Sequence, residues 1–227
     1  MQASRRDWLV PAGLIALSLV PAAAGTARLA QLAGGAANIT VENARFFAAP
    51  LPLIVHIPAV ILYSLLGALQ FSPGLRRRYR GWHRAAGRVL VPCALIVALS
   101  GLWMTQAYPW PPSDGFAVYL ERLVVGTVML ASTVLAVDAL RRRDYTSHGA
   151  WMTRAYAIAL GAGTQVLTHL PWFMLVDLHP AGTPRAVMMG AGWAINIVVA
   201  ELVIRRQRSA RAATRAAFPL GAMRAAS

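Results

Sequence analysis

The chain has 227 residues, of which 57% are hydrophobic and only 13% charged, with a mean hydropathy of +0.52. A water-soluble domain of this size has no means of burying so much apolar surface, so the soluble globular classes are excluded. The net charge of +14 needs no nucleic acid to explain it, because the arginines cluster in loops between apolar runs, where they orient the chain and attract anionic lipid.

Six apolar runs are long enough to cross a bilayer, which takes about 20 residues of helix. They lie at about 8–27, 51–71, 89–108, 116–137, 150–176 and 186–204. In lipid the backbone must satisfy its own hydrogen bonds, so each is expected to be an α-helix. The fold class predicted is all-α: an integral-membrane six-helix bundle within residues 1–206, followed by a basic cytoplasmic tail, 207–227, expected to be disordered. The first run has two readings. Arg5-Arg6, an apolar core and Ala22-Ala23-Ala24 fit a cleaved signal peptide; an uncharged run of roughly 20 residues favours an uncleaved anchor.

All 22 Lys+Arg residues are arginine. Arg28, Arg45, Arg122 and Arg185 fall in segments assigned to the outside, and the remaining 18 fall at the N-terminus, in the two loops around Arg76–Arg88 and Arg141–Arg154, and in the tail. The positive-inside rule then places both termini in the cytoplasm. Six crossings and two internal ends agree in parity. Trp8, Trp82 and Trp151 mark the inner interface, and Trp103, Trp110 and Trp172 the outer one. Cys93 is the sole cysteine, so no intrachain disulfide forms.

The two arginine loops repeat. Arg76-Arg77-Arg78 precedes His83 by the same spacing as Arg141-Arg142-Arg143 precedes His148, an offset of 65 residues (148 minus 83). Runs two and three would then form one helical hairpin and runs four and five a second, related by a parallel tandem repeat. Convergent positive-inside loops are the competing explanation. The small residues Ala159, Gly161, Ala162, Gly163, Gly190, Ala191 and Gly192 are expected at close helix contacts, and Pro58, Pro92 and Pro171 at helix irregularities.

Ionisable groups within a span are costly and mark function by default. His83 and His148 share the inner interface. His56 and His169 share a depth of roughly 9–10 Å from the outer face at 1.5 Å of rise per residue. Neutral imidazoles paired at matching depth are what haem iron needs as axial ligands, so His56, His83, His148 and His169 are candidate ligands of haem b. Arg84, Arg88 and Arg154 are candidate partners for its propionates. Gln70, Glu121, Asn196 and Glu201 are structural or proton-handling candidates. About 31 Å of helix separates His148 from His169, and His148 could lie in the loop. The bland alternative for each histidine is a headgroup contact or a buried hydrogen bond.

The residues His56, Gly67-Ala68-Leu69-Gln70-Phe71, Trp82-His83-Arg84, Gly87-Arg88, His148, Trp151-Met152, Arg154-Ala155-Tyr156, Trp193, Asn196 and Ala200-Glu201 carry a resemblance. From about Leu51 to Arg206 the chain resembles a bacterial family of multi-pass membrane proteins known as domain of unknown function 2306. The resemblance implies an inner-membrane protein and nominates His56, His83, Arg84, Arg88, His148, Arg154, Asn196 and Glu201, without an activity. The chain departs from the family pattern at Gly149 and at His169. More loosely, the layout is similar to the di-haem b-type transmembrane cytochromes.

Three functional expectations follow. The first is a haem b protein that transfers electrons, a haem-dependent membrane oxidoreductase, with quinol or another small reductant as partner. The second is a small proton-coupled transporter, and the third a non-catalytic assembly subunit held in a homo-oligomer or membrane complex. No phosphate loop, nucleophile–base pair or zinc spacing is present in the sequence.

Overall fold

A computed structural model of the chain describes residues 5–176 and 179–217. Its elements are α1 (Arg5–Ala33), a short 3-10 turn at Gly35–Asn38, α2 (Ala44–Ala48), α3 (Leu51–Leu69), α4 (Pro73–Arg78), α5 (Arg80–Ala107), α6 (Phe116–Arg141), α7 (Tyr145–Ala159), α8 (Gly161–Leu175) and α9 (Gly182–Ala217). The all-α membrane fold is therefore as expected.

Among the described residues, five helices are long and apolar enough to cross a membrane: α1, α3, α5, α6 and α9. The run at 150–176, expected to be one span, is instead two 15-residue helices that meet at Leu160. Each half alone is about 22 Å long, short of a roughly 30 Å hydrocarbon core. The arginine-rich segment also differs from expectation. From residue 207 the chain continues α9 as helix through Ala217, in keeping with the high helix propensity of alanine and arginine. Arg211 Nη1 donates to Thr146 Oγ1 at 2.6 Å and ties this extension to the first turn of α7. Residues 218–227 lie outside the described residues.

The core joins two hairpins, α3–α5 and α6–α7. One buried cluster contains Tyr63 and Ala68 from α3, Leu90, Ala94 and Val97 from α5, Met129 from α6, and Ala155, Tyr156 and Ile158 from α7. Large apolar side chains on the opposite helix faces, among them Leu99, Val124, Val134 and Val198, are exposed, as helix faces turned to a bilayer would be. The 65-residue repeat is visible in the helix starts. α3 begins at Leu51 and α6 at Phe116; α5 begins at Arg80 and α7 at Tyr145. Both differences are 65.

The hairpins lock through Tyr156. Its hydroxyl donates to the Ser64 carbonyl at 2.6 Å, and its ring lies 4.9 Å from Phe71 and 5.6 Å from Tyr63 between centroids. Gly67 makes room for that ring, since a Cβ there would sit 2.6 Å from Tyr156 Cε2. α1 packs against both α3 and α8, and α9 against α6, α7 and α8.

Candidate functional site

One cluster of candidates sits at the arginine-rich end of the bundle. His83 is the fourth residue of α5 and His148 the fourth of α7. Each backbone N–H closes the first turn onto the residue before the helix, His83 to the Tyr79 carbonyl at 3.1 Å and His148 to the Asp144 carbonyl at 3.0 Å. His148 thus belongs to the helix, not to the loop. Asp144 Oδ1 caps α7 by accepting from the N–H groups of Thr146 and Ser147, at 3.1 and 3.0 Å.

His148 and Arg76 both lie within electrostatic reach of His83. His148 Nδ1 lies 2.9 Å from the Ala136 carbonyl. A carbonyl only accepts, so Nδ1 carries the proton and Nε2 presents its lone pair. His83 Nδ1 is buried with no hydrogen-bond partner, and so are both amide atoms of Gln70. Gln70 and His83 flank the two ends of the α3–α4–α5 turn. Arg84 and Arg88 are exposed on the first turns of α5.

The outer histidines have separate partners. His56 Nδ1 lies 2.8 Å from Ser100 Oγ. The Ser100 hydroxyl proton goes to the Ile96 carbonyl at 2.5 Å, so Ser100 accepts from His56, and His56 Nε2 is the unprotonated atom. His169 is buried, donates from Nδ1 to the Gln165 carbonyl at 2.7 Å, and stacks on Phe173. α1 packs on both helices that carry them, α3 and α8, and no direct contact joins the two rings among the described residues.

His56 instead lines a cavity of about 480 Å³ at the end opposite the arginine loops. On α5 its wall runs from Val97 to Tyr108, roughly 16 Å of helix. Its rim holds Arg45, Asp114 and Arg122, and its floor reaches Leu160 and Trp193. The helix break at Leu160 is therefore the floor of the cavity.

The break is held open by α9. The Gly161 N–H no longer reaches the Ala157 carbonyl, and Asn196 Nδ2 donates to that carbonyl at 3.0 Å while Asn196 Oδ1 accepts from Thr164 Oγ1 at 2.7 Å. A Cβ at Gly161 would meet Trp193 Nε1 at 2.1 Å, one at Gly163 the Leu17 carbonyl at 2.3 Å, and one at Gly192 the Gln165 side chain at 2.7 Å. Gln165 and Thr168 donate to the Met189 and Met188 carbonyls at 3.2 and 2.7 Å. Nearer the arginine-rich end, Arg154 and Glu201 form a two-point ion pair at 2.5 and 3.0 Å. Arg154 and Asn196, picked out in the sequence, thus clasp α9 to the broken helix. Arg154, a candidate propionate partner in the sequence, has its guanidinium on Glu201.

Glu121 sits where α6 meets α9. Its Oε1 would be 2.7 Å from a Cβ at Gly190, and its Oε2 is buried without a partner. Sequence reasoning missed Ser100, Gln165 and Arg45. Ser100 and Gln165 are short or neutral polar residues inside apolar runs. Arg45 falls in a segment assigned to the outside, and nothing in its sequence neighbourhood shows that it turns over a cavity. Among the described residues, no group of three or more His, Cys, Asp or Glu gathers as a metal cluster. A bis-imidazole site needs only two.

The model of one family, described as predicted membrane protein (DUF2306), matches residues 53–204. No curated protein and no solved structure matches the chain.

Proposed function

The chain belongs to that DUF2306 membrane-protein family, and on that premise we propose that it is a bacterial inner-membrane protein that holds b-type haem between His83 and His148 and transfers electrons. The observation that carries this reading is the histidine pair itself. Both residues take the fourth position of helices that start 65 residues apart, His148 offers a free Nε2, and His83 Nδ1 is a buried nitrogen in need of a partner. An orphaned buried nitrogen is costly unless something binds it. Haem b supplies a one-electron centre when bound. The carbonyl of Ala136 holds the tautomer of His148, as hydrogen-bond acceptors behind ligating imidazoles do. Arg84 and Arg88 project from the same helix end and offer charge to propionates. In this reading α7 and α8 together make one broken crossing, giving six. Asp7 lies 4.0 Å from Arg77, and Arg211 bonds Thr146, so both ends of the described chain sit at the arginine-rich end, assigned to the cytoplasm. A quinol or another small reductant is the natural donor.

A reduced-minus-oxidised visible spectrum of purified protein tests the proposal. A Soret shift with sharp α and β bands, lost in both His83→Ala and His148→Ala, is the expected result. A full Soret band in both variants overturns the pairing, and a colourless protein after expression with ample haem removes the cytochrome reading.

A second reading, a small proton-coupled transporter, is favoured by one observation: a cavity open at one end stops at a discontinuous helix. Transporters place substrate sites at such breaks near the bilayer midplane. Uptake by proteoliposomes that depends on a pH gradient would support it, and its absence across tested solutes counts against it.

A further inference from the structure

The cavity beside His56 has a rim and an interior of different chemistry. The interior is mainly apolar, with Ile61, Val97, Val125 and Met129 in its walls and His56, Ser64 and Gln165 as polar points among them. At the rim, the Asp114 side chain is almost fully buried and each of its oxygens is already paired with an arginine: Oδ2 accepts from Arg122 and Oδ1 from Arg185, both at 2.6 Å. Arg45 has no carboxylate partner among the described residues. Its Nη1 donates to the Pro109 carbonyl at 3.1 Å, its guanidinium lies 4.7 Å over the Phe46 ring, and its Nε is buried without a partner. One carboxylate thus serves two arginines, and a third cation is fixed over the opening with an unused donor.

A half-buried guanidinium with no carboxylate at ion-pair distance is costly, and Asp114 acts on Arg45 only from farther off. Stacking on Phe46 fixes its direction, so it does not simply swing into water. A charge-assisted donor held at the mouth of an apolar hole matches a ligand with one anionic end and an apolar body.

We propose that this cavity binds an amphipathic anion, its carboxylate or phosphate head on Arg45 and its apolar body lying between α3, α5 and α6 toward Trp193. The head could come from a bilayer lipid or from a free amphiphile; the chemistry is the same. The site lies at the opposite end of the bundle from His83 and His148, so its failure leaves the haem reading untouched.

The test is native mass spectrometry of the full chain, titrated with oleate, with methyl oleate, and with 1-oleoyl lysophosphatidate. Oleate and lysophosphatidate should each bind one per chain, and methyl oleate about ten-fold more weakly. Arg45→Gln should raise the dissociation constant for oleate about ten-fold. Gly101→Phe should block binding by filling the space beside His56, where a Cβ at Gly101 would still be 3.6 Å from the imidazole. Val125→Trp fills the cavity from α6 and serves if Gly101→Phe fails to fold. Phosphatidylglycerol carried through purification and displaced by oleate would identify lipid as the source; a chain that arrives empty and binds added oleate would identify a free amphiphile. Equal binding of oleate and methyl oleate overturns the proposal, as does an Arg45→Gln protein with unchanged affinity.

Discussion

Arg154 and Glu201 meet through two parallel hydrogen bonds, Nε to Oε1 at 2.5 Å and Nη2 to Oε2 at 3.0 Å, across the contact of α7 with α9. The guanidinium also lies 4.5 Å over the Trp151 ring. A fork-to-fork pair stacked on an indole is geometrically defined, and lysine would not reproduce it. Both side chains keep partial solvent access, 22% and 33%, which limits the net gain. Glu201→Gln should therefore cost about 1 kcal/mol, read as a fall of about 2–4 °C in the thermal midpoint in detergent. Arg154→Lys should cost nearly as much. The double exchange Arg154→Glu with Glu201→Arg should recover part of the loss, and no recovery would mean that packing on Trp151 outweighs the ion pair.

Asn196 carries a heavier penalty because it satisfies both sides of the break. With Asn196→Leu the Ala157 carbonyl loses the donor that replaced its helical partner, and the Thr164 hydroxyl loses its acceptor. A buried group stripped of its partner costs about 1–3 kcal/mol. The variant should lose thermal stability on that scale and show faster amide exchange around Gly161–Thr164. Unchanged exchange there would show that the break is maintained by Trp193 and the glycines alone.

The joint between the hairpins is steric. Gly67→Ala would place a methyl 2.6 Å from Tyr156 Cε2, and that ring is held by Ser64 and Phe71. Overpacking of this kind costs about 1–3 kcal/mol. Tyr156→Phe keeps the shape and removes the hydroxyl, costing about 1 kcal/mol. Combining Gly67→Ala with Tyr156→Leu should restore part of the stability lost to the methyl group. Additive losses in thermal midpoint would place the clash elsewhere.

How much of this was legible in the sequence depends on which physical signal carried it. Long apolar runs and loop arginines are one-dimensional patterns, and they locate most of the helices well: α3 and α6 start 65 residues apart, the same offset as the two arginine loops. Small residues at Gly161, Gly163, Gly190 and Gly192 were expected at helix contacts, and each meets a neighbour there. The break at Leu160 was not legible, because Leu160-Gly161-Ala162-Gly163 is as apolar as the rest of its run and hydropathy does not register a missing hydrogen bond. It depends on Asn196 and Trp193, more than 30 residues away. Matching depth paired His56 with His169, but depth along the membrane normal says nothing about lateral position, and α1 packs on both of their helices. Arg154 looked like a propionate partner for the same reason: its neighbour Glu201 is distant in sequence.

The turn that carries His148 should respond to acid. α6 ends with Arg143 in the left-handed region at φ 61°, and the Asp144 N–H returns to the Ala139 carbonyl at 2.9 Å. Asp144 then caps α7. Hydrogen bonds from Ser147, its side chain first and then its backbone N–H, hold the Asp144 carboxyl below the usual range, helped by the Thr146 N–H and the charge of Arg142. A depressed carboxyl stabilises the folded turn at every pH above its unfolded value, near 3.9, and the contribution is lost as pH falls through the lower folded value. Asp144→Ala should thus speed exchange of the Thr146, Ser147 and His148 amides several-fold at neutral pH, and the difference from the unaltered protein should shrink below about pH 4. Arg143→Gly should act oppositely, because glycine adopts the left-handed conformation without the strain an arginine bears. A gap between the Asp144→Ala and unaltered proteins that stays constant down to pH 3 would show that the cap does not act through its charge.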